Sequence, residues 1–509
     1  MTSAGTIPSP AEPEVPAVPA RPGSSRSVKV LALSLGSGLA LVANIVVGMA
    51  AARLLSKHDY ATIRQTFLAY DVVSPLLLLG LPNALYYFLP RAETDRRGVL
   101  IDSIALLTAL GLIFSLFILL GGHALLAHVF DNPELGTTLP WLAIYPLFMM
   151  PIAGIAGVLV VADRVRSLAC FNTGVSLAQA ACAIGAIYVT RSYELPIVIR
   201  ICVAGLALPT GLWLMFRSVK GTARRPRGRA MAEMVRYAAP LGLAGMLGSI
   251  MLQLDAFIVA ALCPPELFAV YINGAIEIPI VSIVVGSITA VIFADMSAAC
   301  ARGDKAGALA IFKLASVKSA CILLPAMIYF LVAAKPFILF LYSREYSASV
   351  IPFVIYLCVL PTRIVVYGAA LMAIGMTRQL LLRSIFDLSI NVVLCFIFVS
   401  LFGYNGAALG LVVTIYAWTV PYNLIKIGQG YGVGLGAVLP WRQLGAVLLI
   451  SIATAPPALA ALYLLQAQPA FLQLAISFTL YGPLCLYILY RQRLIAIPPF
   501  VAARLGFLA

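Results

Sequence analysis

Seven charged side chains lie in or beside long apolar segments, and their chemistry is what the sequence singles out first. They are Arg53, Arg64, Asp71, Arg200, Asp255, Glu277 and Arg363. A charge at the centre of a bilayer costs about 2.5 to 3.5 kcal/mol on insertion scales, so each group needs a partner or a water-filled cavity. We therefore treat the four arginines as candidate anion-binding groups and the three carboxylates as candidate cation-binding groups.

Arg363 is the most isolated of the four arginines, because no acidic residue lies within a helical turn of it. A guanidinium matches phosphate bidentately, so we expect Arg363 to face a central cavity and to bind an anion there. The alternative is a buried pair with a carboxylate from another span. Arg64, Arg53 and Arg200 complete the expected cationic lining, although the Arg64 side chain can instead extend towards water at a membrane boundary.

The carboxylates predict coupling to an ion. Asp71, Asp255 and Glu277 all lie inside apolar segments, where binding of H⁺ or Na⁺ would remove or balance a buried charge. The alternative is a salt bridge between one of these carboxylates and one of the arginines. Arg383 and Asp387, spaced i and i+4, are interpreted as a pair that supports a helix locally.

Metal, nucleotide and redox chemistry are not expected. The nine cysteines never occur in a CxxC spacing, and the three histidines, His58, His123 and His128, lie outside the apolar cores. No HExxH, P-loop or GxGxxG context occurs either. We therefore expect no cofactor other than a coupling ion.

Composition identifies the elements that must hold these charges. Hydrophobic residues make up 62% of the 509 positions and charged residues only 10%, against about 25% in soluble domains, which excludes a soluble globular protein. Unbroken apolar runs such as 104–120 predict helices, whereas an outer-membrane barrel would show alternating segments of about ten residues. The expected fold is all-α integral membrane, with about 14 transmembrane helices.

Fourteen apolar segments and their flanks define the expected organisation. We place the spans at 30–52, 61–89, 99–120, 138–161, 167–189, 195–216, 236–262, 267–293, 317–341, 350–373, 379–401, 405–426, 440–465 and 470–490. The expected units are a disordered cytoplasmic tail at 1–27, a six-helix lobe at 28–216, a basic cytoplasmic linker at 217–235, a second six-helix lobe at 236–427, and two additional transmembrane helices with a cytoplasmic tail at 428–509. The first tail contains six prolines and lacks the apolar core of a signal peptide.

The basic residues predict the orientation, because Lys and Arg are retained on the cytoplasmic side of a membrane. With the N-terminus inside, 26 of the 34 Lys and Arg residues fall on the cytoplasmic side and seven on the other side, with Arg363 between them. Both termini are therefore expected in the cytoplasm. The basic residues are spread over all the inner loops, so the formal net charge of +15 does not indicate binding to nucleic acid.

The chain also shows a weak internal duplication. A shift of 208 residues pairs Tyr60 with Phe268 and Ser74 with Ser282, and it superimposes the first two spans on the seventh and eighth. Six spans per half is an even number, so the halves should run in parallel and be related by an axis along the membrane normal. Two such bundles predict a central cavity between lobes.

Three stretches resemble the polysaccharide transporter (Wzx-like) flippases of the multidrug, oligosaccharidyl-lipid and polysaccharide exporter superfamily. The first joins Ala-Arg-Leu-Leu at 52–55, Asp-Tyr-Ala at 59–61 and Gly-Leu-Pro-Asn-Ala-Leu-Tyr-Tyr-Phe-Leu-Pro at 80–90. The second is 154–181, with the basic turn Asp-Arg-Val-Arg at 163–166, and the third joins Ala-Ile-Gly-Met-Thr-Arg at 373–378 to Leu-Phe-Gly-Tyr-Asn-Gly-Ala-Ala at 401–408. The resemblance covers about residues 28 to 490, and its motifs specify a fold and not a ligand.

This resemblance implies two six-helix bundles whose central cavity opens alternately to the two leaflets of the bacterial inner membrane. The implied cargo is an undecaprenyl-diphosphate-linked oligosaccharide for exopolysaccharide, capsule or O-antigen (lipopolysaccharide) biosynthesis, with its diphosphate on the four arginines. Transport involves no covalent change, so the protein would not be an enzyme. A polysaccharide polymerase and an initiating glycosyltransferase are the implied partners, beside membrane lipids.

Other functions of the same superfamily stay open at this point. A peptidoglycan-precursor flippase has the same expected fold, and a cation-coupled drug exporter is disfavoured by the two extra spans and the Arg-rich lining. A remote alternative is an integral-membrane glycosyltransferase or polymerase. Such an enzyme would need a large outer loop, and the longest outer loop expected here is about 121–137.

Overall fold

A computed structural model describes residues 26–92, 94–222 and 224–494. Over these ranges the chain is helical and forms no β-strand, which confirms the expected all-α fold class. Most of the predicted tail at 1–27 lies outside the described residues, as do residues 495–509.

The first half of the described chain forms ten helices. They are α1 (Arg26–Leu54), α2 (Lys57–Leu78), α3 (Leu81–Arg91), α4 (Arg96–Phe117), α5 (His123–Val129), α6 (Leu135–Leu142), α7 (Tyr145–Met149), α8 (Ile155–Val161), α9 (Val165–Thr190) and α10 (Glu194–Ser218). The predicted second span is thus two helices, α2 and α3. They are separated by Leu79 and Gly80 with φ of 41° and 73°, a left-handed conformation that glycine adopts readily.

The second half forms the remaining helices. They are α11 (Gly228–Leu262), α12 (Pro265–Gly274), α13 (Pro279–Ala301), α14 (Lys305–Val332), α15 (Ala334–Leu341), α16 (Val350–Leu357), α17 (Leu360–Arg363), α18 (Tyr367–Ala373), α19 (Thr377–Phe402), α20 (Asn405–Thr414), α21 (Val420–Tyr431), α22 (Leu435–Val438), α23 (Trp441–Ala453), α24 (Pro456–Leu464) and α25 (Ala470–Arg491). Pro265, Pro279 and Pro361 lie in the first turn of their helices, where the missing N–H costs no hydrogen bond.

Nine helical segments of the described chain are long and apolar enough to cross a membrane, or ten if the bent pair Arg344–Leu357 and Leu360–Ala373 counts as one span. Three shorter apolar helices overlap other predicted spans in sequence: Gly38–Leu54, Leu135–Met149 and Gln253–Leu262. The protein is therefore a multi-pass membrane protein. The number fourteen remains a prediction.

The halves pack internally and against each other. In the first half α1 and α10 both pack on α9, and in the second half α19 packs on α11 and α20. Between the halves, α2 packs against α11 and α12. The largest apolar core is continuous across both halves. We call α1–α10 the first lobe and α11–α21 the second lobe, so α2, which carries Arg64 and Asp71, lies on the seam between the lobes.

Connecting segments lie at two opposite faces, which we name after one residue each. The His58 face carries residues 55–56, 130–134, 191–193, 263–264 and 342–349, and the Arg224 face carries residues 92, 94–95, 162–164, 219–222, 224–227, 302–304 and 374–376.

The two lobes touch each other near both faces. Towards the His58 face, the Tyr60 hydroxyl donates to Asn273 Oδ1 of the second lobe at 2.6 Å. Towards the Arg224 face, the rings of Tyr87 and Tyr237 stack with centroids 4.2 Å apart. Between them α11 crosses the break in α2 so closely that a Cβ atom at Gly242 would overlap the Leu79 carbonyl. The two lobes are therefore in contact near both faces.

Candidate functional site

The first lobe brings three of the seven predicted charges together. Arg64 and Asp71 lie on α2 and Arg200 lies on α10. The positive charges of Arg200 and Arg64 both act on the Asp71 carboxylate, but no ion pair within 4.0 Å joins the three groups in the described chain. Two cations around one carboxylate leave net positive charge, which suits an anionic ligand.

Aromatic rings hold the Arg200 side chain in place. Its guanidinium lies 3.8 Å from the Phe67 ring centroid and 5.8 Å from that of Tyr145. Cation–π contacts stabilise a guanidinium without using up its N–H donors. Arg200 Nε is buried and lacks a hydrogen-bond partner among the described residues, so donors remain for a ligand.

Arg64 lies on the side of α2 that faces the second lobe. It is one turn from Tyr60, whose ring centroid lies 6.0 Å from the guanidinium carbon and whose hydroxyl reaches Asn273 across the seam. The Arg64 side chain is exposed. The charged group of the first lobe therefore borders the space between the lobes.

Arg363 lies apart from this group, in a cavity of about 480 Å³ within the second lobe. Arg53, Arg64 and Arg200 do not line that cavity. The Arg363 guanidinium is exposed and has no ion pair within the described ranges. The expected single cationic lining is therefore divided between the lobes.

The second-lobe cavity contains a pair that the sequence indicated only as a local helix contact. Arg383 Nε lies 3.1 Å from Asp387 Oδ2, and both residues line the cavity with Arg363. The Thr419 hydroxyl donates to the other Asp387 oxygen at 2.8 Å, and Arg383 Nη1 donates to Asn423 Oδ1 at 3.4 Å. Helical spacing predicted the pair but could not show that it borders a cavity.

Glu277 and Asp255 have different environments. Glu277 is exposed in the interruption at 275–278 between α12 and α13 and lines a small pocket with Tyr356 and Arg363. Asp255 is buried and accepts hydrogen bonds from the Tyr271 hydroxyl at 2.7 Å and from the Ala256 N–H at 2.9 Å. Asp255 thus has polar partners without any arginine.

The Arg53 guanidinium hydrogen-bonds to backbone carbonyls of the second lobe. Its Nε donates to the Leu341 carbonyl at 3.2 Å and its Nη2 donates to the Phe340 carbonyl. These carbonyls end α15 (Ala334–Leu341), where a cation is favoured by the helix dipole. The structure therefore places Arg53 as a link between the lobes.

Sequence reasoning missed two charged clusters, one near each face. At the His58 face, His58 lies between Glu134 and Glu266. At the Arg224 face, Arg224 in the linker between α10 and α11 pairs with Asp95 and Asp102. The partners are far apart in the chain, so local spacing held no signal for either cluster.

Metal ligands are not grouped in the described part of the chain, since no three His, Cys, Asp or Glu side chains lie together there as a metal site would need.

Comparison with known proteins gives a family and a fold. The family described as "Polysaccharide biosynthesis protein" matches residues 50–351, more than half of the chain. No curated protein matches the sequence.

Three solved structures share the fold at low sequence identity. The lipid II flippase MurJ in an inward-closed conformation has a TM-score of 0.69 at 14% identity, covering 91% of this chain and 100% of that one. An inward-facing multidrug resistance MATE family transporter of the MOP superfamily has a TM-score of 0.54 at 16% identity, covering 83% and 99%. A MOP superfamily transporter from Pyrococcus furiosus has a TM-score of 0.55 at 15% identity, covering 81% and 96%.

Proposed function

Because this chain belongs to the family of polysaccharide biosynthesis proteins, we propose that it is a flippase for an undecaprenyl-diphosphate-linked oligosaccharide. It moves the repeat unit from the inner to the outer leaflet of the bacterial cytoplasmic membrane, for the synthesis of exopolysaccharide, capsule or O-antigen. The fold that it shares with a lipid II flippase over the full length of that protein supports this proposal.

The observation that carries the proposal is the charged group of Arg64, Asp71 and Arg200 beside the seam between the lobes. A sugar head with a diphosphate cannot cross hydrocarbon unaided, whereas its lipid tail can stay in the bilayer. Two guanidiniums around one carboxylate supply net positive charge for the diphosphate. Arg363, in the second-lobe cavity, binds the head group from the other side, while Arg53 contributes by linking the lobes.

Transport then follows from a change in the population of two lobe arrangements. In each arrangement one face is open, and a ligand shifts the populations by its difference in affinity for the two. We assign the His58 face to the outside, because Lys and Arg accumulate on the side of the Arg224 face. Binding of H⁺ or Na⁺ at Asp71, Asp255 or Glu277 biases the arrangement by balancing a charge in the membrane.

A peptidoglycan-precursor flippase is the second candidate. The observation in its favour is the TM-score of 0.69 with MurJ, higher than that with the MATE transporter. The family match favours polysaccharide biosynthesis over this candidate. A polysaccharide polymerase and an initiating glycosyltransferase are the proposed partners of the oligosaccharide flippase.

Depletion of the protein tests the proposal. Polyprenyl-diphosphate lipids are extracted after depletion and identified by mass spectrometry. Accumulation of one intact repeat unit supports the flippase and identifies its cargo. Accumulation of lipid II instead favours the second candidate, and accumulation of no lipid-linked sugar, or of partly assembled ones, contradicts both.

A further inference from the structure

His58 joins the two lobes at the His58 face. It lies in the first turn of α2, with Glu134 of the first lobe on one side and Glu266 of the second lobe on the other. Its Nε2 lies 3.4 Å from Glu134 Oε2, and its Nδ1 lies 3.2 Å from Glu266 Oε1. One imidazole therefore contacts a carboxylate from each lobe.

The position of this contact in the fold is special. His58 and Glu266 are 208 residues apart, the same shift that superimposes the two halves of the sequence. Equivalent positions of two related halves meet each other only close to the axis that relates them. The cluster therefore lies near the pseudo-twofold axis, where separation of the lobes on this side must break it.

Each carboxylate is fixed within its own lobe. The Thr62 hydroxyl donates to Glu134 Oε2 at 3.0 Å, and the Glu134 N–H donates to Asn132 Oδ1 at 3.2 Å. Glu266 lies in the first turn of α12, where the helix dipole favours a negative charge. The distance between the carboxylates thus reports the distance between the lobes.

The protonation state of His58 decides whether the contact attracts or repels. An imidazolium has two N–H donors, one for each carboxylate, whereas a neutral imidazole has one donor and one lone pair. In the neutral form a lone pair therefore faces a carboxylate oxygen. The side chains of His58, Glu134 and Glu266 are 34%, 31% and 50% exposed, so protons from solution reach them.

Other titratable groups surround the cluster. They are Lys57 and Asp59 on α2, Tyr193 and Glu194 next to Glu134, and Tyr346 of the second lobe beside Lys57. Burial, and then the charges of Glu134, Glu194 and Asp59, raise the pKa of Tyr193. Carboxylates ordinarily titrate below about pH 5 and Tyr and Lys near about pH 10, whereas imidazole changes charge between about pH 5 and 8.

We infer that His58, Glu134 and Glu266 form a proton-dependent latch that holds the His58 face closed. A proton on His58 stabilises the closed arrangement, and loss of that proton favours opening. The inference rests on the proposed alternation between open states, and it adds a proton-binding site beyond Asp71, Asp255 and Glu277.

Distance measurement between the lobes tests the latch without any cargo. Nitroxide labels replace Thr190 of the first lobe and Ser347 of the second, both exposed at this face, in a full-length chain without its native cysteines. Pulsed electron–electron resonance in nanodiscs then gives the closed and open populations at about pH 5.5 and about pH 8. We expect the ratio of closed to open to fall several-fold at the higher pH.

Variants separate the latch from other pH effects. His58→Gln should remove the pH dependence, and His58→Arg, which keeps a cation with several donors, should stay closed at both values. His128→Gln is the matched control, since His128 is exposed near the same face, and it should behave like the parent. An unchanged ratio in the parent, or the same pH dependence in His58→Gln, would overturn the inference. Failure of the cargo to accumulate after depletion would contradict the proposed function and leave this result standing.

Discussion

Loss of Arg224 should destabilise the first lobe, because it would leave a carboxylate buried without a cation. Asp102 has no exposed surface. Its oxygens accept from Arg224 Nη1 at 3.0 Å and Nη2 at 2.6 Å, and from the Arg227 N–H at 2.8 Å. Arg224 Nε also donates to Asp95 at 2.8 Å. This cluster fastens the linker between the lobes to the start of α4.

The size of this destabilisation follows from the burial of Asp102. Removing one partner of a buried ion pair costs about 3 to 5 kcal/mol. The Asp95 side chain is 39% exposed, so solvent screening makes its share small, and the Arg227 N–H remains for Asp102. We therefore expect Arg224→Met to lower the free energy of unfolding by about 3 kcal/mol.

The pH dependence of this link has a definite sign. Hydrogen bonding to Asp102 raises the pKa of Arg224 above its ordinary, already strongly basic value. A group whose pKa is raised on folding contributes its full stability below the unfolded value and loses it only above. Arg224 itself therefore adds no pH dependence to the stability of the parent between about pH 6 and 10.

Equilibrium unfolding in mixed micelles, followed by tryptophan fluorescence, measures these free energies. Arg225→Met is the matched control, because Arg225 is exposed, and its loss should cost less than about 0.5 kcal/mol. Asp102→Asn combined with Arg224→Met should be less destabilised than the two single changes predict together. Equal stability of the Arg224 and Arg225 variants, or strict additivity in the double variant, would refute the reasoning.

Three further changes probe the seam and the site. Gly242→Ala should lower the free energy of unfolding by about 1 to 3 kcal/mol, because the added methyl group would overlap the Leu79 carbonyl at the break between α2 and α3. Gly248→Ala, where a Cβ meets open space, should leave the free energy of unfolding nearly unchanged. Equal effects of the two changes would exclude a tight crossing. Arg64→Gln should lower export at least about tenfold at normal protein level, with partial recovery in Arg64→Lys, and full export in Arg64→Gln would remove this arginine from the site. Tyr60→Phe loses one cross-lobe hydrogen bond, worth about 1 kcal/mol, and should increase the open population in the spin-label measurement; an unchanged population would show that this bond does not hold the lobes together.

The helices were predictable because the length of an apolar run is a local property. Segments such as 377–402 and 470–491 are helices close to their predicted bounds. The interruptions inside spans were harder, since 275–278 between α12 and α13 lies within an otherwise apolar segment. Asn273-Gly274 and Pro279 mark that position, but a proline is compatible with both a kink and a new helix start.

The candidate site was predictable as a set of charges but not as a geometry. The free-energy cost of placing a charge in the bilayer identified Arg64, Asp71 and Arg200 one by one. The packing of α2 and α10 brings these three residues together. The same arguments could not separate Arg363 from them or give Arg53 its carbonyl partners. Such contacts depend on which helices become neighbours, and that information is not contained in the spacing along one helix.

The clusters near the two faces were missed for a related reason. A charged residue in a loop carries no insertion cost, so nothing marks Glu134 or Arg224 as unusual, and Asp102 near the start of α4 gives no sign of its partner in a distant loop. His58 and Glu266 are 208 residues apart, and Arg224 and Asp102 are 122 apart. The internal duplication held a usable signal for the first pair, because equivalent positions meet at the axis between the halves.

Reconstitution tests the central claim most directly. The purified protein is placed in liposomes with a polyprenyl-diphosphate-linked oligosaccharide extracted after depletion, and a membrane-impermeant enzyme that oxidises exposed sugars reports the leaflet of the head group. We predict that the parent exposes the inner-leaflet pool to the enzyme, whereas Arg64→Gln at equal reconstitution exposes only the outer-leaflet pool. A protected inner-leaflet pool in the presence of the folded parent protein would contradict the assignment as a flippase.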